Sequence, residues 1–171
     1  KLPYPSDPDW DGLDLPWMAY GYGVSLTPLQ TLTFYNGIAN GGEMVKPKFL
    51  EEISNFGNVP TKVFSKQILN PSICSEQTLA KVQSMMFNVV DKKWGTGYSI
   101  KDPLLTMAGK TGTCQKDYTD KEKLNYISSF AGYFPSENPK YSCIVVIHEP
   151  DKSVGYYGAD VSGPVFKKIA Q

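Results

Sequence analysis

Two apolar runs joined by a short, proline-flanked connection constrain this chain more than any other feature. Ser128–Phe134 and Tyr141–His148 read as strands, and Pro135–Ser136–Glu137–Asn138–Pro139 reads as the turn between them. Leu104–Ala108 precedes them as a further strand, and Val161–Ala170 follows as a helix with Val165, Phe166 and Ile169 facing inward. Connections this short imply antiparallel neighbours, because a parallel pair needs a long crossover. The polar, charged stretch 114–125 reads as a solvated hairpin loop. The fold class is therefore α+β: an antiparallel sheet with helices packed on it.

The upstream part supplies the helices. Thr27 can cap and Pro28 suits a first turn, so a helix starts there; Leu29, Leu32, Tyr35 or Asn36, and Ala39 continue at helical spacing. Asn40–Gly41–Gly42 stops it. Residues 44–55 and 62–69 read as extended segments joined at Gly57–Asn58. Ser75 with Thr78 opens a second helix whose apolar face is Leu79, Val82, Met85, Met86, Val89 and Val90. Trp94–Gly95–Thr96–Gly97 follows as a turn. Residues 1–16 carry Pro, Asp and Gly without apolar period and read as an irregular lead-in cut from something longer. Residues 1–171 are expected to form part of one domain, with 104–171 carrying the strands and the terminal helix.

Composition narrows the function. Seventeen basic and seventeen acidic residues cancel, so no net field draws the chain to nucleic acid or an anionic membrane. No apolar run approaches the ~20 residues of a transmembrane helix. Cys74, Cys114 and Cys143 have no C-x-x-C spacing, and with His148 as the single histidine no metal site is expected. His148 reads as a strand-end histidine with a satisfied partner. No cofactor is expected.

The residues with chemistry are Lys110–Thr111–Gly112 and the Thr113 that follows. Lysine offers a fixed cation beside a serine hydroxyl and a substrate carboxylate. Thr111 adds a hydroxyl, and Gly112 lets a substrate lie against bare backbone. The Thr113 N–H, on a strand edge, can stabilise an oxyanion. On three residues alone, a surface turn with an exposed lysine is the better reading, because short motifs recur by chance. Gly109–Lys110–Thr111 also ends like a P-loop, but that motif needs a glycine where this chain has Leu104, and a helix where Gly112–Thr113 and a polar loop follow.

Context resolves the choice. Tyr22–Gly23–Val24–Ser25–Leu26–Thr27–Pro28–Leu29–Gln30, then Ile38–Ala39–Asn40–Gly41–Gly42, resembles the helix before the third motif of class B high-molecular-mass penicillin-binding proteins. Ala108–Gly109–Lys110–Thr111–Gly112–Thr113 resembles the motif itself, with Gln115 close behind. Ser128–Pro135, Tyr141–Pro150, Tyr156–Tyr157–Gly158 and Gly163–Pro164–Val165–Phe166–Lys167 resemble the two following strands, the closing loop and the last helix. The order is the family's and covers most of residues 17–171. The tyrosine-rich closing segment resembles the division-type branch.

The resemblance implies a peptidoglycan D,D-transpeptidase with the penicillin-binding-protein and serine β-lactamase type of fold, including a five-stranded sheet. In that family a serine attacks the D-Ala–D-Ala bond of one stem peptide, D-Ala leaves, and an amine of a second stem resolves the acyl-enzyme. β-Lactams imitate D-Ala–D-Ala. By the same resemblance, Lys110 and Thr111 lie opposite the nucleophile, and Thr113 gives the oxyanion N–H and a carboxylate contact. Lys110, Thr111, Gly112 and Thr113 bind substrate, and Tyr156 and Tyr157 line the cleft as an aromatic wall or serve only as loop packing. The implied parent is anchored in the bacterial cytoplasmic membrane, with this part in the periplasm or on the outer face. Its implied partners are stem peptides, β-lactams and division-complex proteins.

The chain departs from the pattern in one decisive way: it contains no Ser-x-x-Lys. Its one Ser-x-Asn, Ser136–Glu137–Asn138, follows the Lys-Thr-Gly in a turn, whereas the family's second motif precedes it. Cys114 replaces a small residue and reads as a packing variation. The chain is thus expected to be the C-terminal half of a transpeptidase domain, inactive alone, whose nucleophile and N-terminal half lie elsewhere. The alternatives are a non-catalytic scaffold and a serine β-lactamase-like hydrolase, though the latter lacks the Gly-Val-Ser-Leu-Thr-Pro-Leu-Gln stretch.

Overall fold

Thr27 and Gln30 start the main upstream helix by satisfying each other's backbone. Gln30 N–H donates to Thr27 Oγ1 at 3.2 Å, and Thr27 N–H donates to Gln30 Oε1 at 2.9 Å. Pro28 costs nothing here, since its missing N–H would be unpaired anyway. The computed structural model describes residues 3–57, 59–116 and 125–171. Its helices are α1 (Asp14–Ala19), α2 (Pro28–Ala39), α3 (Glu76–Asp91) and α4 (Gly158–Ala170), with a 3-10 turn at Tyr98–Ile100. Its strands are β1 (Met44–Val45), β2 (Glu52–Ser54), β3 (Pro60–Val63), β4 (Ile68–Asn70), β5 (Ala108–Lys116), β6 (Asn125–Phe134) and β7 (Tyr141–His148).

The main sheet has the order β5-β6-β7 and is antiparallel throughout. Among the described residues it has three strands, not the five the resemblance implies. Side chains alternate across it. Ala108, Lys110, Gly112 and Cys114 share one face with Ile127, Ser129, Ala131 and Tyr133, and with Ser142, Ile144, Val146 and His148. Here α2 and α3 bring Ile38, Leu79 and Met86 against Ala108 and Tyr133. On the opposite face Phe166 of α4 packs among Phe130, Phe134, Val145 and Cys143. The result is a helix–sheet–helix sandwich, and α3 feeds both cores, since Val90 joins the Phe166 side.

Several expectations need correction. The irregular lead-in 1–16 contains the start of α1, where Asp11 accepts the Leu13 N–H at 2.7 Å and Asp14 accepts the Asp11 N–H at 2.6 Å. The strand expected over Leu104–Ala108 begins only at Ala108. Asp102 Oδ1 accepts the Leu104 N–H at 2.8 Å and bends the chain there, leaving Leu104 exposed. At its other end β5 runs into the expected loop 114–125, because Cys114, Gln115 and Lys116 pair with Ile127, Tyr126 and Asn125. The remainder of that loop lies outside the described residues.

The extended segments 44–55 and 62–69 form nested pairs rather than one hairpin: β1 with β4, and β2 with β3. Gly57 has φ +100°; Asn58 lies outside the described residues. Met85 is exposed, because the inward stripe of α3 runs through Leu79, Met86 and Val90, and Met85 is turned about 100° from its neighbour Met86. In α4 the inward stripe is Gly158, Ser162, Gly163 and Phe166, so Val165 and Ile169 sit together on an exposed one. His148 ends β7, is exposed, and has no hydrogen-bond partner among the described residues.

Candidate active site

Lys110, Thr111, Gly112 and Thr113 lie in mid-strand on β5, and β5 is an edge strand. Its outer side has no strand partner among the described residues. Lys110 projects on the α2 side, yet its chain curls around the free edge. Nζ donates to the Thr111 carbonyl at 2.6 Å and lies 3.4 Å from Thr111 Oγ1. The Thr111 backbone thus faces the free edge, and by the two-residue period so does the Thr113 N–H. Lys110 itself is exposed, with its ammonium at the open edge.

The two threonine side chains point to the α4 side. Thr111 Oγ1 is 3.1 Å from Thr96 Oγ1, and Thr113 Oγ1 accepts the Gly158 N–H at 3.2 Å. Thr113 therefore satisfies one of the unpaired amides of the first turn of α4. That approach needs glycine: a Cβ on Gly158 would stand 2.7 Å from the Gly112 carbonyl oxygen and 3.1 Å from its nitrogen. Gly112 has a packing reason of its own, since a Cβ there would run into the Ser129 hydroxyl.

Tyr156 and Tyr157 are fixed at the same end of the sheet. Ser128, the cross-strand partner of Thr113, donates its hydroxyl to the Tyr156 carbonyl. The Tyr126 and Tyr156 rings stack with centroids 4.3 Å apart and 19° between planes, and Tyr157 follows at 4.4 Å from Tyr156. Tyr156 OH donates to Tyr157 OH at 3.1 Å, and this bond and the neighbouring phenol push the Tyr156 pKa up. Tyr157 remains exposed. Beside the motif, on the other sheet face, a cleft of about 690 Å³ runs between β5–β7 and the segment 18–31. Gly112, Thr113 and Cys114 form its rim, and Ile127, Ile144 and Val146 its apolar floor.

A model of the penicillin binding protein transpeptidase domain matches residues 4–171. The chain belongs to the penicillin-binding protein transpeptidase family. Peptidoglycan D,D-transpeptidase FtsI of Buchnera aphidicola is 33% identical over 163 residues, which are 95% of this chain and 27% of that protein. FtsI of Escherichia coli K12 is 30% identical over 168 residues, 97% of this chain and 26% of that protein. Among solved structures, penicillin binding protein 3 of Mycobacterium tuberculosis superposes with a TM-score of 0.80 at 29% identity, covering 95% of this chain and 38% of that one. The transpeptidase domain of Burkholderia pseudomallei penicillin-binding protein 3 gives 0.69 at 29% identity, over 99% of this chain and 50% of that domain. The chain spans well under half the length of the curated relatives it matches. Relatives named FtsI agree with the class B, division-type resemblance.

The P-loop alternative fails, because Lys110–Thr111 continues into strand and no helix begins there. Ser136–Glu137–Asn138 lies in the β6–β7 turn, where Glu137 takes the Thr106 and Ser136 hydroxyls, several residues beyond the Ala131 that pairs with Lys110. Cys114 is exposed, and its Sγ lies 3.6 Å from the Gln115 carbonyl. Sequence reasoning missed Thr96, Tyr126, Ser128 and Gly158 as parts of the site. Only Thr96 carried a local signal, the glycines on either side of it.

Proposed function

We propose that this chain is the C-terminal, Lys-Thr-Gly half of a peptidoglycan D,D-transpeptidase domain that works through a serine acyl-enzyme. The observation that carries the reading is an exposed ammonium and a threonine hydroxyl held together on the open edge of a sheet, in a chain of this family. In the reaction, the serine oxygen of the other half attacks the penultimate D-Ala carbonyl. The peptide C–N bond breaks and D-Ala leaves as the amine. An amine of a second stem then attacks the ester, forming the new peptide bond and freeing the serine. Lys110 supplies positive charge at the shared edge and holds the serine's proton path in place. Thr111 addresses the terminal carboxylate, and the Thr113 N–H faces the developing oxyanion. Tyr156 and Tyr157 form an aromatic wall beside them, stiffened by Tyr126.

The apolar floor of Ile127, Ile144 and Val146 supports docking of the N-terminal half on this side of the sheet. β-Lactams are the expected inhibitors; penicillin binding protein 3 of M. tuberculosis, a 29% identical relative, has been solved with aztreonam. In this reading the parent is anchored in the bacterial cytoplasmic membrane, with this part in the periplasm or on the outer face, and works with division-complex proteins. No helix of the described residues is long and apolar enough to cross a membrane.

Intact-mass spectrometry after incubation with a penicillin tests the reading. The chain alone is expected to stay unmodified, and a complex with the upstream half is expected to gain one adduct on that half. A serine-linked adduct on the isolated chain, or none on either part of a folded complex, refutes it.

A further inference from the structure

Thr96 sits in the connection between α3 and the 3-10 turn, and the two glycines around it hold that connection tight against the helix end. Gly97 N–H donates to the Val89 carbonyl at 2.9 Å, and Gly95 N–H donates to the Lys92 carbonyl at 2.8 Å. A Cβ on Gly95 would stand 2.7 Å from the Val89 carbonyl carbon, and one on Gly97 would stand 3.3 Å from the Phe130 ring. No larger residue fits either place without moving backbone or core. The loop therefore delivers the Thr96 hydroxyl to one position, 3.1 Å from Thr111 Oγ1.

Thr111 Oγ1 then has two neighbours: the Thr96 hydroxyl, and Lys110 Nζ at 3.4 Å. A hydroxyl has one proton and two acceptor positions. The ammonium can only donate. When Thr96 also donates, both acceptor positions of Thr111 are filled and its one proton is turned outward, toward an incoming anion. Without the Thr96 hydroxyl, the Thr111 hydroxyl is free to turn.

We infer that Thr96 is a positioning residue that orients the Thr111 hydroxyl toward the carboxylate of the acyl donor; this rests on the transpeptidase reading above. Thr96 touches no reacting atom. Its effect is on recognition of the anion, so it belongs in the apparent affinity for carboxylate-bearing donors and not in the limiting acylation rate.

The test uses the full-length protein with Thr96→Val and Thr96→Ser, acylated by a penicillin and by the methyl ester of the same penicillin. Thr96→Val is expected to lower the second-order acylation constant for the free acid about tenfold, through weaker apparent affinity, since one hydrogen bond to a charged centre is at stake. Thr96→Ser is expected to stay within about twofold of the parent protein, because it keeps the hydroxyl. On the ester, Thr96→Val is expected to match the parent. Equal acylation of the Val variant by the free acid overturns the inference, as does an equal loss on acid and ester or a loss confined to the limiting rate. A parent protein that takes up no penicillin overturns the transpeptidase reading and this inference with it.

Discussion

The hydroxyl of Thr113 accepts the backbone N–H of Gly158 at 3.2 Å, which ties the motif strand to the first turn of the last helix. Residues 45 apart in sequence thus share one structural unit at the site. Replacing Thr113 by Val keeps the volume and removes the acceptor. In the full-length protein this is expected to cost about 1 kcal/mol, the usual value of a lost helix-start partner. Denaturant unfolding measures it, and Thr113→Ser should retain most of the stability. A Val variant as stable as the parent would show that water replaces the hydroxyl.

Gly158→Ala tests the same contact from the helix side. The new methyl meets the Gly112 carbonyl at 2.7 Å, and backbone cannot swing away as a side chain can. Either α4 or β5 must shift. The expected cost is about 1–3 kcal/mol, with a slower acylation rate because the displaced strand carries Lys110 and Thr111. An unchanged denaturation midpoint would mean the helix end is looser than its packing against Ser129 and Gly112 indicates.

Lys110→Ala removes the one ammonium at the described open edge of the motif. In the full-length protein it is expected to lower penicillin acylation at least about tenfold, with little change in stability because Lys110 is exposed. Stopped-flow acylation checks the first part and a thermal melt the second. An unchanged acylation rate would remove lysine from the proposed mechanism.

Alkaline pH is expected to expose the Tyr133 core. Burial pushes this phenol up from 10.0 to about 12. A group whose pKa is raised on folding contributes fully below its unfolded value and loses that contribution as pH rises through the folded one. Stability should therefore decline between pH 10 and about 12. Unfolding curves across that window should show a shallower decline for Tyr133→Phe than for the parent. Parallel declines would assign the loss to the other tyrosines.

Local chemistry was legible at the ends of α2 and at the start of α3, where neighbours in sequence are also neighbours in space. Thr27 with Gln30, Ser75 with Thr78, and the stop at Asn40–Gly41–Gly42 are contacts within one turn, so the residue types alone specify them. The span Tyr141–His148 was readable for a related reason: an apolar run between turns has few other fates. The inward stripe of α4 was not, because Val165, Phe166 and Ile169 are all apolar and only the sheet decides which of them it covers. Leu104 misled for the opposite reason, since the Asp102 turn overrode an apolar stretch.

The motif itself divides the same way. Lys110–Thr111–Gly112–Thr113, its family and its antiparallel strand setting are properties of the sequence, because order and residue type carry them. That β5 is an edge strand, that Lys110 curls around that edge, and that Thr96, Ser128, Tyr126 and Gly158 gather behind it are properties of the tertiary structure. The contacts of Thr96, Ser128, Tyr126 and Gly158 join residues from separate elements, and side-chain alternation across a paired sheet sets which of them meet. A sequence states which groups are available; only the packed register states which face each one takes.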